Sequence, residues 1–171
     1  MKTKKMIVIS LFVCMSVAIY AIESMIPTLI PIPGVKPGLA NIITLVSIYI
    51  LGKKEAFLIL MLRIALTTLL FGQVMSMWFS LAGGILSFVV MSCLSLFMDE
   101  DNIWAISVFG AFAHNVGQIA VAVIVTRQLA VTYYFLFLII SSIVTGVFTG
   151  ICSKLCIKQA KRINILNIRH R

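Results

Sequence analysis

"IPIPGVKPGLANIITLVSIYIL", residues 30–51, is the stretch on which the fold turns. Three prolines, two glycines and Lys36 break an apolar chain, and then the apolar sequence resumes at Gly38 with Asn41 in its first turn. Gly38–Leu51 is short against the roughly 20 residues that cross a bilayer. Counted as a span, it is the second of six. Working outward from it, the others are Met6–Met25, Glu55–Phe71, Val74–Phe97, Ile103–Thr126 and Leu129–Cys156.

Composition supports that reading. The 171 residues are 61% hydrophobic and 11% charged, where a soluble domain carries about 25% charged residues. Connections this brief leave no room for a soluble domain. The expectation is one all-α polytopic membrane domain, residues 1–171, with a basic tail at 157–171. The opening "MKTKKMIVISLFVCMSVAIYA" has a basic start and an apolar stretch, but "IYA" matches a cleavage site poorly, so it reads as a retained first helix. Cys14, Cys93, Cys152 and Cys156 lie in or beside apolar segments at spacings that suit packing, not metal or disulfides. No cofactor is expected.

The net charge of +9 is not spread evenly. With six spans, Lys2, Lys4, Lys5, Lys53, Lys54, Lys154, Lys158, Lys161, Arg162, Arg169 and Arg171 all fall on one side. Lys36 and Arg127 fall on the other, and Arg63 lies inside a span. Positive residues stay cytoplasmic, which predicts a multi-pass membrane protein with both termini inside. The tail "KLCIKQAKRINILNIRHR" then meets anionic lipid. It lacks the aromatic interleaving of a nucleic-acid surface, and no nucleic-acid partner is expected.

Polar side chains are costly inside lipid and face a bundle interior or a cavity. The orientation gives each one a depth. Glu23 ends the first span on the outside, Asn41 starts the second and Arg63 is near the middle of the third. In "GAFAHNVGQIA" (110–120), His114 and Asn115 lie near mid-depth with Gln118 further out. His114 and Gln118 are i, i+4 and share a face. Interhelical hydrogen bonding explains such residues without a ligand, as an aromatic belt explains Trp78, Tyr133 and Tyr134. The shared outer depth favours a cavity instead. The expected ligand-binding set is Glu23, Lys36, Asn41, Arg63, His114, Asn115 and Gln118, with residues 26–37 as a stiff lid. Pro31 and Pro33 hold that lid extended, and Pro37 suits a helix start.

Small residues let membrane helices approach. "GVFTG" (146–150), Gly83 and Gly84, and the stripe Gly110, Ala113, Gly117, Ala120 read as internal packing surfaces. Ser10, Cys14 and Ala18 recur every four residues on the first span and suit packing or a docked partner helix. There is no GxxxxGK[ST] loop. No nucleophile–base pair or HExxH is visible, and the one acidic cluster is Asp99-Glu100-Asp101. The chain reads as a non-enzyme.

"IPGVKPGLANIITLVSIYILGKKEAFLILMLRIALTTLLFG", "FSLAGGILSFVVM" and "GAFAHNVGQIAVA" resemble the bacterial membrane family called Gx transporters, also labelled heptaprenyl diphosphate synthase component I. The resemblance runs from about Glu23 to Lys154. That family is in turn similar to S components of energy-coupling factor (ECF) transporters. The resemblance implies a six-helix bundle that binds a vitamin-sized molecule beneath the loop joining its first two helices. It also implies a transmembrane coupling subunit and cytoplasmic ATPases as partners. Where S components dock through alanines four apart, this chain has Ser10, Cys14 and Ala18. The alternative is a membrane component of a heptaprenyl diphosphate synthase or quinone-making system. A prenyl synthase holds Mg²⁺-diphosphate with aspartate-rich motifs, and "MDEDN" (98–102) is the nearest approach to one.

Overall fold

The computed structural model describes residues 2–25, 38–72, 74–127 and 135–162. Among them are six α-helices: α1 (Lys2–Met25), α2 (Asn41–Ile50), α3 (Lys53–Phe71), α4 (Val74–Leu94), α5 (Ile103–Thr126) and α6 (Phe135–Arg162). A single 3-10 turn at Glu100–Asn102 leads into α5. The described residues contain no strand.

Six helices are not six membrane spans. Four are long and apolar enough to cross, over Thr3–Met25, Val74–Leu94, Glu100–Thr126 and Leu136–Arg162. The expectation of six is corrected at α2 and α3. The ten residues of α2 rise only about 15 Å at 1.5 Å per residue, half the hydrocarbon thickness of about 30 Å. The reason is its place in the bundle. It packs against all five other helices and buries Asn41, Ile43, Thr44, Leu45, Val46, Ser47 and Ile48. Large apolar side chains are exposed on each of the other helices and on none of the ten residues of α2. An apolar helix of that length, surrounded on every side, is a core helix. For its part, α3 begins Lys53-Lys54-Glu55 and carries Arg63 in its buried stripe Ala56, Ile59, Leu60, Arg63, Ile64, Thr67.

Side-chain contacts fix the helix directions. Lys5 near the start of α1 pairs with Glu55 near the start of α3. Tyr20 meets Phe71 near their ends, with ring centroids 5.7 Å apart, so the two helices run parallel. α5 and α6 are antiparallel and close: a Cβ on Gly150 would lie 2.6 Å from Trp104 Cα, and Ser107 bonds Thr149 at 2.7 Å. The "GVFTG" stretch is thus an internal packing surface, as expected. Lys154 pairs with Asp101 and Lys161 with Glu100. The start of α1 and the end of α6 therefore lie at one lysine-rich end of the bundle. The main apolar core fills that half: Val8, Phe12, Val13, Ile59, Met91, Ile103, Ile106 and Ile157 surround Leu45, Val46 and Ile48 of α2.

Candidate functional site

The opposite half is polar inside. Glu23, Asn41, Arg63, His114, Asn115 and Gln118 are each less than a tenth exposed. They come from α1, α2, α3 and α5, and all but one converge on the start of α2.

Glu23 holds that start. No side chain of α2 itself caps it. The Glu23 carboxylate, fifteen residues upstream, accepts the backbone N–H of Gly38, and that of Leu39 at 3.0 Å. A carboxylate at a helix N-terminus contributes about 0.3–1 kcal/mol, and up to about 2 where partly buried. Glu23 is also the main charged neighbour of Arg63, which reaches the interior from α3 beside Gly84. One buried anion thus answers both a buried cation and a helix dipole.

His114 stands at the centre. A Cβ on Gly83 would lie 2.8 Å from His114 Nδ1. One on Gly38 would lie 2.9 Å from His114 Cδ2 and 3.2 Å from Asn41 Nδ2. The two glycines leave the room the imidazole takes, and Gly38 also has φ +85, a conformation that L side chains rarely adopt. Gln118 Nε2 bonds His114 Nε2 at 3.0 Å. With the amide nitrogen as donor, His114 Nε2 is the acceptor in this contact. Nδ1 faces the Gly83 backbone at a geometry short of a hydrogen bond. Asn41 Nδ2 donates to Ser87 Oγ at 3.3 Å.

This leaves Asn41 Oδ1, Gln118 Oε1 and His114 Nδ1 buried without hydrogen-bond partners. An unmet buried polar atom costs about 1–3 kcal/mol. Such a set, gathered from two helices around one imidazole, is chemically suited to a small molecule that offers hydroxyl or N–H donors to the two amide oxygens.

Asn115 Oδ1 is likewise buried without a partner, but Asn115 turns its amide nitrogen to another helix. Its Nδ2 donates to Leu138 O at 3.0 Å and Ser142 Oγ at 2.8 Å, both on α6. Adjacent helical residues point about 100° apart, and so Asn115 joins α5 to α6 while His114 faces α2 and α4. Lys36, the lid 26–37, Gln73, Tyr133, Tyr134 and the tail beyond Arg162 lie outside the described residues. Trp78 is exposed on α4. Ser10, Cys14 and Ala18 are exposed on α1. Sequence reasoning missed Ser87 and the backbone of Gly38 and Gly83. Ser87 sits one turn after Gly83 on the same face of α4, and that spacing was the available signal.

Comparison with curated proteins and with solved structures returned no match. A family model described as heptaprenyl diphosphate synthase component I matches residues 12–156. The match covers most of the chain, including every described residue of the polar cluster, and the protein therefore belongs to the heptaprenyl diphosphate synthase component I family.

Proposed function

We propose that this chain is a non-catalytic, substrate-binding membrane subunit of ECF S-component type. It captures a small polar molecule of the vitamin or cofactor-precursor class at the end of the bundle away from the lysines. The observation that carries the reading is the convergence of Glu23, Asn41, Arg63, His114 and Gln118, with two buried amide oxygens left without donors. Asn115 acts indirectly by fixing α5 against α6. A transmembrane coupling subunit docks on the exposed Ser10, Cys14 and Ala18 face, and separate cytoplasmic ATPases supply energy. In the bacterial cell membrane the lysine-rich end is cytoplasmic, which puts both termini inside.

A second reading follows from the family's own description: a membrane component of a heptaprenyl diphosphate synthase, presenting a lipid-like substrate to a soluble catalytic partner. Two of the three carboxylates in the acidic cluster are paired with Lys154 and Lys161, which favours the non-catalytic role for this chain.

Mass spectrometry of molecules released from the detergent-purified protein tests the first reading. A donor-bearing small molecule should co-purify with the native chain, and Gln118→Leu should lower its occupancy ten- to hundredfold. Recovery of an isoprenoid diphosphate instead, unchanged by Gln118→Leu, would transfer support to the second.

A further inference from the structure

At the lysine-rich end, a groove of about 330 Å³ opens on the outer surface between α5 and α6, lined by Trp104, Val147, Gly150, Ile151, Leu155 and Lys154. Every lining residue but one is apolar or glycine. It is far from the polar cluster and plays no part in it. Its depth can be read from α6, where the stretch from Phe135 to Ser153 carries no charge. That stretch rises about 28 Å, close to the hydrocarbon thickness of about 30 Å. Lys154, the first charge, therefore stands where hydrocarbon gives way to headgroups. Lys158 follows one turn later on the same face and is exposed. Lys154 is held at the mouth of the groove by Asp101 Oδ1 at 3.2 Å and Asp101 O at 3.3 Å. Asp101 is almost fully exposed, so water screens the pair, and the ammonium keeps a donor for a further partner.

We propose that this groove is a specific site for an anionic phospholipid of the bilayer, its acyl chain lying on Trp104, Val147, Ile151 and Leu155 and its phosphate meeting Lys154 and Lys158. The pattern on the page is an amphiphile's: an apolar channel at acyl depth ending in two cations at phosphate depth. A zwitterionic lipid fits the channel but gains less from the cations, each of which draws anionic lipid by about fivefold, or about 1 kcal/mol.

The chain has two tryptophans, so Trp78→Phe leaves Trp104 as the reporter in the groove. The full-length variant is placed in phosphatidylcholine vesicles holding a minor fraction of either phosphatidylglycerol or phosphatidylcholine with brominated acyl chains. Brominated phosphatidylglycerol should occupy the groove, and so quench Trp104, with a preference of up to about 25-fold at equal fraction. Lys154→Gln should remove about fivefold of that preference. Lys158→Gln should act in the same direction, and it carries the test if Lys154→Gln unfolds. Lys4→Gln removes the same charge from α1, away from the groove, and should leave the preference intact. Equal quenching by the two lipids, or a loss in Lys4→Gln as large as in Lys154→Gln, overturns the proposal in favour of unspecific annular lipid. Displacement of the brominated phosphatidylglycerol by far smaller amounts of heptaprenyl diphosphate overturns it in favour of an isoprenoid occupant.

Discussion

The two ends of this bundle use similar side chains to opposite effect. At the lysine-rich end, Lys5–Glu55, Lys154–Asp101 and Lys161–Glu100 are ion pairs whose partners are partly exposed. At the other end, Glu23 and Arg63 are almost wholly buried and Glu23 also holds the first turn of α2. Water screens the first group and cannot reach the second. Charge chemistry alone therefore says little; depth in the bundle decides whether a pair tunes the surface or holds the fold together.

The strongest test of that contrast removes one buried partner. Arg63→Leu should destabilise the protein by about 1–3 kcal/mol, because it removes the main charged neighbour of the buried Glu23 carboxylate. The double change Glu23→Leu with Arg63→Leu should cost less than the two single costs added together. Thermal unfolding in detergent measures both. A single-variant loss within the noise of a surface substitution would erase the distinction between the ends.

Gly38→Ala comes next. It forces a side chain into a positive-φ turn and against the His114 ring, and about 1–3 kcal/mol of stability should be lost. An unchanged unfolding temperature would mean that His114 is not clamped.

The third test separates two neighbours on one helix. Gln118→Leu should weaken ligand retention ten- to hundredfold while the fold survives. Asn115→Leu should do the reverse, lowering stability by about 0.6–2 kcal/mol through the lost α5–α6 bonds while the remaining folded protein binds normally. If the two variants behave alike, the assignment of the neighbours to separate jobs fails.

The smallest effect belongs to the exposed end. Lys5→Gln should cost about 1 kcal/mol or less, and the difference should shrink as salt is added. A larger, salt-insensitive loss would show that this end, too, is sealed from water.

The sequence made much of the architecture legible. Long apolar runs gave five of the helices, and α5 has the expected bounds Ile103–Thr126. The inward side of Arg63 follows from helical spacing with Ile59, Leu60 and Thr67. The misread elements were α2 and α3, both counted as spans; an apolar run of 10–14 residues such as α2 more often marks a helix inside a protein than across a bilayer. Asn115 was grouped with His114 by depth, when one step along a helix turns the side chain through about 100°. Glu23 capping α2 was not legible at all. A cap supplied from another helix leaves no local pattern, and it emerges when α1 and α2 are already packed.

A helix that touches its neighbours on every side and spans half the bilayer has a consequence for biogenesis. During synthesis, α2 leaves the ribosome second, before α3, α4, α5 and α6 exist to surround it. Its own length cannot hold it across the membrane, so the centre of the finished bundle is settled after its walls. Chains cut short after Leu51 should fail to keep α2 within the bilayer, whereas chains cut after Arg162 should protect it from protease as the full protein does.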